Sequence, residues 1–500
     1  MCNMIKTTCI QSYQELFDLY EPNNGLSLLE IPALESGDEF EVIRQLEDYM
    51  FALTDACLNK ADSTPASSSD VDNLIKDVQE AIQTPLINYT ITEKPQDRFG
   101  DRVDALDLNF APKLREKHNA RKEWVYEDIS RIPGIFFQDD YQRELGIDPR
   151  TQLISIYRNP YSYEIHNLEF PDWEVRGDLG VPPSCSLDDT VVEFIDTEEK
   201  IMDLIARLKS FRCISVSVIQ HSYRSYLGYC SMIMISSGEI DYAIDAIATH
   251  NSCWKLNDLF TNPSIVKVMF NAGDQLLWLQ RDFGVFMVNL FDVQMALKLL
   301  DEKQTSFSDV LMNRMNEYIN MRFRRADWRT RPLTAGMLRF ARQTAHSTLY
   351  LSSMVIEQLQ NESEKHINRV GDGRVGDGQI VETLAACNEL CLETYHKPVQ
   401  TYETGESTIA ELGQIFQPVQ KMLFLSLYYW RDVVARELDE SVQYVLPLLP
   451  LLKVAHAVPK TKEELRRLLS PLSATAEQRL DRLFSIVESC RSEKLVEKNA

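Results

Sequence analysis

The chain has 500 residues, of which 44% are hydrophobic and 25% charged, and its formal net charge is -23. This is a globular composition, and the length suggests two to four domains. Nucleic-acid binders usually carry a basic excess, so any contact with RNA must be confined to a local patch. The sequence has no run of roughly 18 apolar residues and no secretory leader pattern at its start. We therefore expect a soluble intracellular protein with no membrane contact.

The N-terminal part divides into two regions. Residues 1–95 show apolar residues at helical spacing in three segments (11–19, 38–58 and 71–83), which predicts a helical N-terminal region. Residues 96–190 are polar, rich in proline and charge, and show little periodicity. This pattern favours an extended linker that lies over a neighbouring domain or is partly disordered.

The pattern changes at residue 191. Strand-like runs at 213–218, 230–235 and 265–270 alternate with helical patterns at 198–209 and 275–283. This alternation predicts an α/β domain with a central sheet.

The C-terminal part is helical after a short break. The sequence Val-Gly-Asp-Gly occurs twice between residues 366 and 379. It lacks the ligands of a calcium loop and follows no strand, so we interpret 363–380 as a flexible linker. Residues 381–492 have a helical pattern throughout and predict a separate small bundle.

The ten cysteines are scattered, and none forms a CxxC pair of the kind found in zinc sites. Cys387 and Cys391 are four residues apart within a helical pattern. We expect reduced, mostly buried thiols that carry no chemistry.

Three blocks of sequence carry a family resemblance. The first is His221-Ser-Tyr-Arg-Ser-Tyr-Leu-Gly-Tyr-Cys230, the second runs from Pro263 through Trp278-Leu-Gln-Arg-Asp-Phe-Gly284 to Asp292, and the third is Ala326-Asp-Trp-Arg-Thr-Arg-Pro-Leu333 with Phe340-Ala-Arg342 and His346. They resemble the RNase D-type domain of the nuclear RNA exosome's 3′→5′ exonuclease family, the polymyositis/scleroderma autoantigen family. Trp430-Arg-Asp432 and Asp439-Glu-Ser-Val-Gln-Tyr-Val-Leu-Pro447 resemble that family's HRDC (helicase and RNase D C-terminal) domain.

The resemblance implies an α/β fold class. We expect an RNase D-like (RNase H-like) exonuclease domain with a central mixed sheet at 191–362. An all-α HRDC bundle at 381–492 follows it, and the helical region at 1–95 precedes it.

The resemblance also implies a catalytic site that this chain does not keep. Family members bind two Mg²⁺ ions with clustered carboxylates and orient the attacking water with a tyrosine. Read position by position, the chain has neutral or apolar residues instead: Ser217, Ile219, Gln275, Phe340 and Thr344. We predict a degenerate site with no metal and no cofactor. The chain is one residue shorter than the family before Trp278, so Asp274 remains an alternative to Gln275 at its position.

Some polar and aromatic residues persist around these positions. Four could line a groove that contacts RNA: Tyr223, Arg224, Arg329 and His346. The alternative is that such residues pack the fold. The basic run 113–122 is likewise open to two interpretations, a solvated face or an RNA contact.

These observations favour a pseudonuclease over an enzyme. By resemblance, we expect a nuclear scaffold or regulatory subunit in exosome-linked RNA processing. Its N-terminal helices would bind exosome-associated proteins, in particular an active nuclease relative or a small helical cofactor protein. Two alternatives remain: a non-catalytic RNA-binding module, and a weakly active metal-dependent 3′→5′ exoribonuclease that uses Asp274.

Overall fold

The computed structural model describes residues 91–100, 103, 110–124, 128–133, 153–370, 378–397, 402–470 and 472–497. The three predicted N-terminal helices and most of the Gly/Asp repeat lie outside these residues. The described residues fall into two compact units, one of which contains Asn320–Thr330. The other contains the described parts of Glu93–Ile319 and Arg331–Ala500.

The larger unit contains two sheets. Their strands are β1 (Asp128–Pro133), β2 (Leu153–Tyr157), β3 (Val191–Ile195), β4 (Cys213–His221), β5 (Tyr229–Ser236), β6 (Ile240–Asp245), β7 (Val266–Met269) and β8 (Leu290–Asp292). Strands β1 and β2 form an antiparallel pair, and the other six form one sheet in the order β3-β6-β5-β4-β7-β8. In that sheet β5 is antiparallel to both of its neighbours, and the remaining pairs are parallel. The predicted central mixed sheet is confirmed.

Helices surround this sheet. They are α1 (Ser162–His166), α2 (Asp172–Val175), α3 (Glu198–Leu208), α4 (Asn257–Phe260), α5 (Ala272–Phe283), α6 (Val293–Leu299), α7 (Phe307–Met315), α8 (Ala335–Val370) and α9 (Gly378–Leu392). Helix α8 packs against β4 and β5. Because the central strands are covered, β4 and β5 are apolar along most of their length, and none of their residues is exposed.

Helix α3 shows how local sequence specifies one of these elements. The Thr197 side chain accepts a hydrogen bond from the Lys200 backbone N–H and caps the first turn. Ile201, Leu204 and Leu208 follow at helical spacing and are fully buried. Together, the cap and the apolar stripe fix where the helix begins and which face meets the sheet.

The C-terminal residues form a second helical layer. Its helices are α10 (Tyr402–Glu411), α11 (Pro418–Leu438), α12 (Val442–Val445), α13 (Leu448–Ala457), α14 (Lys462–Leu468), α15 (Ala474–Gln478) and α16 (Leu480–Glu497). Helix α11 packs against α13 and α16, with Phe424 and Trp430 fully buried in a core of their own. This confirms the predicted all-α bundle. Among the described residues, no helix is long and apolar enough to cross a membrane.

Helix α9 belongs to the core of the sheet domain. It packs against β8, and its Cys387 and Cys391 are buried in the same cluster as the strands. The predicted C-terminal bundle (381–492) therefore begins within α9, a helix whose buried residues pack into the sheet domain. Seven cysteines fall among the described residues, and six of them are buried.

Segments that precede β3 lie against the sheet domain. Tyr161, which immediately precedes α1, is fully buried in the core cluster of the sheet domain. The Glu164 carboxylate accepts hydrogen bonds from Lys117 Nζ at 2.8 Å and from the backbone N–H groups of Arg121 and Lys122. The basic run 113–122 is thus tied to α1, which favours its structural interpretation.

The three predicted strands and two predicted helices of the sheet domain are present as β4, β5, β7, α3 and α5. The sequence pattern missed β3, β6 and β8. Strand β8 has only three residues, and β6 contains two aspartates, so neither produces a clear apolar run.

Candidate functional site

The candidate site lies where β4 and β7 separate. These parallel strands pair only from Cys213 to Ser215, although β4 continues to His221. In α/β sheets, ligands bind in the crevice beyond the carboxyl ends of strands that diverge in this way. Two of the five candidate positions, Ser217 and Ile219, lie on the part of β4 that does not pair with β7.

Gln275 on α5 spans this crevice. Its Oε1 accepts a hydrogen bond from the Val218 backbone N–H at 2.7 Å. Its Nε2 donates to the carbonyl oxygens of Phe270 at 2.9 Å and Asn271 at 3.0 Å. The side chain therefore connects the open edge of β4 to the turn that follows β7.

The last two candidate positions, Phe340 and Thr344, lie on α8, which packs against β4. Ser215 Oγ donates to the Ala345 carbonyl of α8 at 2.7 Å. Because side chains alternate along a strand, Ser217 and Ile219 lie on the same face of β4. On α8, Phe340 is buried, and Thr344 Oγ1 donates within the helix to the Ala341 carbonyl at 2.7 Å.

Asp274 and Gln275 occupy different surroundings on α5. The structure directs Gln275 toward β4, whereas Asp274 is exposed in the first turn of the helix. Of these two residues, Gln275 faces the crevice; which of them takes the family's position stays a prediction. Trp278 is half-buried and packs against the sheet-domain core.

These side chains do not fit a site for two divalent cations. Such a site requires several converging oxygen ligands, mostly carboxylates. Within the described ranges, no three His, Cys, Asp or Glu residues are grouped so as to hold a metal ion. That the five residues occupy the family's catalytic positions stays a prediction.

Asp292 is a buried carboxylate that the sequence did not single out. Its Oδ1 accepts from the backbone N–H groups of Asn271, Gln294 and Met295 at 2.8–3.2 Å, and its Oδ2 accepts from Ala272 N–H at 2.6 Å. It thereby caps both α5 and α6. Burial raises the pKa of Asp292, although these four donors act to lower it.

Arg224 contacts the C-terminal bundle. Its Nε and Nη2 each donate to the Glu440 carboxylate at 2.8 Å, and its guanidinium lies 4.0 Å from the Tyr444 ring centroid. Tyr223 meets the same Tyr444 ring edge to face at 6.3 Å. These contacts favour the packing interpretation of Arg224 and Tyr223.

The same loop makes further contacts with the bundle. The Tyr226 backbone N–H donates to Asp439 Oδ1 at 2.9 Å, and its hydroxyl donates to Asp432 Oδ1 at 2.7 Å. Lys94 Nζ donates to the Leu438 carbonyl at 2.8 Å and lies 3.3 Å from Glu440. We call this set of contacts the interdomain joint.

His346 is fully buried between two acceptors. Its Nδ1 lies 3.1 Å from Asp241 Oδ1, and its Nε2 lies 3.0 Å from the Cys185 carbonyl. Asp241 and the Cys185 carbonyl both offer acceptor oxygens, so the imidazolium form, in which both ring nitrogens donate, satisfies both contacts. Burial acts to lower the pKa of His346, but the hydrogen bond and charge of Asp241 outweigh it and the pKa is raised.

Arg329 lies in the unit that contains Asn320–Thr330. Its guanidinium donates to both Asp327 oxygens at 2.9 and 2.7 Å and to the Ile91 carbonyl at 3.0 Å. Only 5% of Arg329 is exposed. Like His346, it has its polar groups engaged within the protein, and an RNA contact by either residue stays a prediction that these contacts disfavour.

Comparison with known proteins agrees with this architecture. The 3'-5' exonuclease family profile matches residues 192–362, and the HRDC domain profile matches residues 420–487. The catalytic core of RRP6 from Trypanosoma brucei superposes with a TM-score of 0.63 at 24% identity, covering 80% of this chain and 99% of that one. The protein is therefore of the class in which a 3′–5′ exonuclease fold precedes an HRDC domain.

Two curated relatives narrow this class. The chain is 31% identical to the Exosome complex component 10 homolog of Caenorhabditis elegans over 407 residues, which are 81% of this chain and 44% of that protein. It is 32% identical to the Exosome complex exonuclease RRP6 of Saccharomyces cerevisiae over 361 residues, 71% of this chain and 46% of that protein. The chain thus spans about half the length of the relatives it matches. It belongs to the RRP6-like, or exosome component 10, family.

Proposed function

We propose that this protein is a catalytically inactive member of its family and acts as a scaffold or regulatory subunit in exosome-linked RNA processing and decay. The observation that carries the proposal is the crevice between β4 and β7, which is spanned by the neutral amide of Gln275.

The chemistry of the site supports the absence of catalysis. A two-metal mechanism requires carboxylates that hold both ions and a group that orients the attacking water. Ser217, Gln275 and Thr344 are neutral and bind Mg²⁺ poorly, while Ile219 and Phe340 offer no ligand atom. Asp274 alone cannot hold two divalent ions against their hydration.

The interdomain joint supports a scaffold role. It ties the exonuclease-fold domain to the HRDC bundle through partly buried polar contacts that do not involve the crevice. Both domains therefore present fixed surfaces whether or not a metal binds. A protein with such surfaces can position partners without acting on RNA itself.

The names of the relatives supply the setting. Exosome complex component 10 and RRP6 are exosome proteins by name. We extend this association to the present chain, together with a nuclear location. The proposed partners are an active nuclease relative or a small helical cofactor protein, bound through residues 1–95.

Two measurements test the proposal. In a pull-down from native cells at moderate salt, we expect exosome subunits in near-equal amount to the tagged chain. Purified full-length chain should remove no 3′ nucleotides from 5′-labelled single-stranded RNA with Mg²⁺ or Mn²⁺. Metal-dependent trimming that Asp274→Asn abolishes would overturn catalytic inactivity. Recovery of crosslinked RNA without exosome subunits would instead favour an RNA-binding module.

A further inference from the structure

We infer that Gln275 has converted the crevice between β4 and β7 into a structural joint that closes the sheet without a metal ion. This goes beyond the proposed function, since it concerns what the side chain does rather than what the site has lost.

The first step is the open edge of β4. Beyond Ser215 this edge has no pairing with β7, and a buried backbone N–H without a partner is costly. Gln275 Oε1 supplies the missing acceptor to Val218 N–H at 2.7 Å. A side chain here takes over a bond that the neighbouring strand supplies elsewhere.

The second step is the polarity of the three hydrogen bonds. Val218 requires an acceptor, whereas the carbonyl oxygens of Phe270 and Asn271 require donors. An amide provides both kinds of group, but a carboxylate provides acceptors only. An ionised glutamate at 275 would place negative charge about 3 Å from two carbonyl oxygens, and would need a proton or a cation between them. The Nε2 group of Gln275 occupies that position.

The third step is the turn itself. Asn271 adopts a left-handed conformation with φ of 54°. The Asp292 carboxylate binds the N–H groups of Asn271 and Ala272, while Gln275 binds the carbonyl groups of Phe270 and Asn271. The turn is therefore fixed from both sides, and α5 begins in a set position relative to β4.

The test compares two substitutions in the full-length chain. Gln275→Glu keeps the size but loses the donors, and Gln275→Met loses all three bonds without adding charge. We expect each to raise the unfolding equilibrium constant of the exonuclease-fold domain at pH 8 by about tenfold or more. At pH 5 the effect of Gln275→Glu should shrink, because the protonated carboxyl regains a donor, whereas that of Gln275→Met should not change.

Gln443→Glu is the matched control. Gln443 is exposed, and its Oε1 accepts from the Leu448 N–H at 3.3 Å, a bond that a carboxylate retains. This substitution should leave the unfolding constant within about twofold of wild type. If Gln275→Glu is equally neutral, or if its effect is the same at pH 5 and pH 8, the inference is wrong.

The RNA-trimming assay separates this result from the proposed function. Destabilised Gln275 variants together with a wild-type chain that trims RNA would leave the joint standing and remove catalytic inactivity. Gln275 variants as stable as wild type, together with a wild-type chain that trims no RNA, would refute the joint and leave catalytic inactivity standing.

Discussion

The carboxylate of Glu440 is the centre of the interdomain joint, and Glu440→Gln tests it with almost no change in size. In the structure, Glu440 accepts both hydrogen bonds of Arg224 and lies 3.3 Å from Lys94. Its own side chain is 7% exposed, and that of Arg224 is 20% exposed. The substitution leaves two cations facing a neutral amide that can accept with only one oxygen.

The magnitude follows from this burial. Removing one partner of a buried, hydrogen-bonded ion pair costs about 3–5 kcal/mol. Arg224 keeps some contact with water and with the Tyr444 ring, so we expect about 2–3 kcal/mol. Because the joint links the HRDC bundle to the exonuclease-fold domain, the loss should appear first as weaker coupling between them.

Scanning calorimetry of the full-length chain measures this effect. For a domain of fewer than 100 residues, such a loss lowers the melting temperature by about 10 °C, so the HRDC bundle should melt earlier in Glu440→Gln. Glu193→Gln is the matched control, because Glu193 makes a bidentate pair with Arg207 on the surface, where both side chains are more than a third exposed. That pair should contribute at most about 1 kcal/mol. If Glu440→Gln lowers the first transition no more than Glu193→Gln does, the joint does not couple the domains.

Three further predictions concern pH, capping and metal. The folded pKa of His346 is raised above its ordinary value of 6.5, so the contribution of His346 to folding stability is complete below pH 6.5 and is lost as pH rises through the folded pKa. The melting temperature of His346→Gln should therefore approach that of wild type between pH 6 and pH 9. A constant difference would contradict this. Asp292→Ala removes the acceptor for four backbone N–H groups and should lower the free energy of unfolding in urea by about 3–5 kcal/mol. Asp292→Asn retains one oxygen and should lower it less; equal losses would argue against capping. Millimolar Mg²⁺ should leave the wild-type melting temperature unchanged, since a ligand stabilises only the state that binds it; a clear rise would mean that the ligand positions are misassigned.

The sequence predicted three of the six strands of the main sheet and two of the helices that pack on it. Apolar runs and helical spacing located β4, β5 and α5, because these patterns depend only on which faces are buried. The blocks at 221–230 and 263–292 carried the family resemblance because each is a contiguous stretch of sequence. Short or polar strands such as β8 left no comparable pattern.

The partners of charged side chains could not be predicted in this way. Arg224 was a candidate for RNA contact, but its partner Glu440 lies 216 residues away in the chain. Lys267 shows the same limit, because the sequence does not say how a lysine within an apolar run is accommodated. It is fully buried, and its Nζ donates to the Asn262 and Ile265 carbonyls at 2.7 and 2.5 Å. Burial lowers the pKa of Lys267 to about 7.

The sequence by itself determined the α/β fold class, the helical pattern of the C-terminal part and the absence of acidic side chains at the five positions. Composition and periodicity are properties of the amino-acid sequence alone, so they do not depend on which distant residues meet in the folded chain. Only the tertiary structure shows that Gln275 faces the crevice while Asp274 is exposed, because a single residue of shift on a helix turns a side chain by about 100°. It also decided that Gln275 bridges β4 and the turn after β7, since that bridge depends on two strands that separate in space.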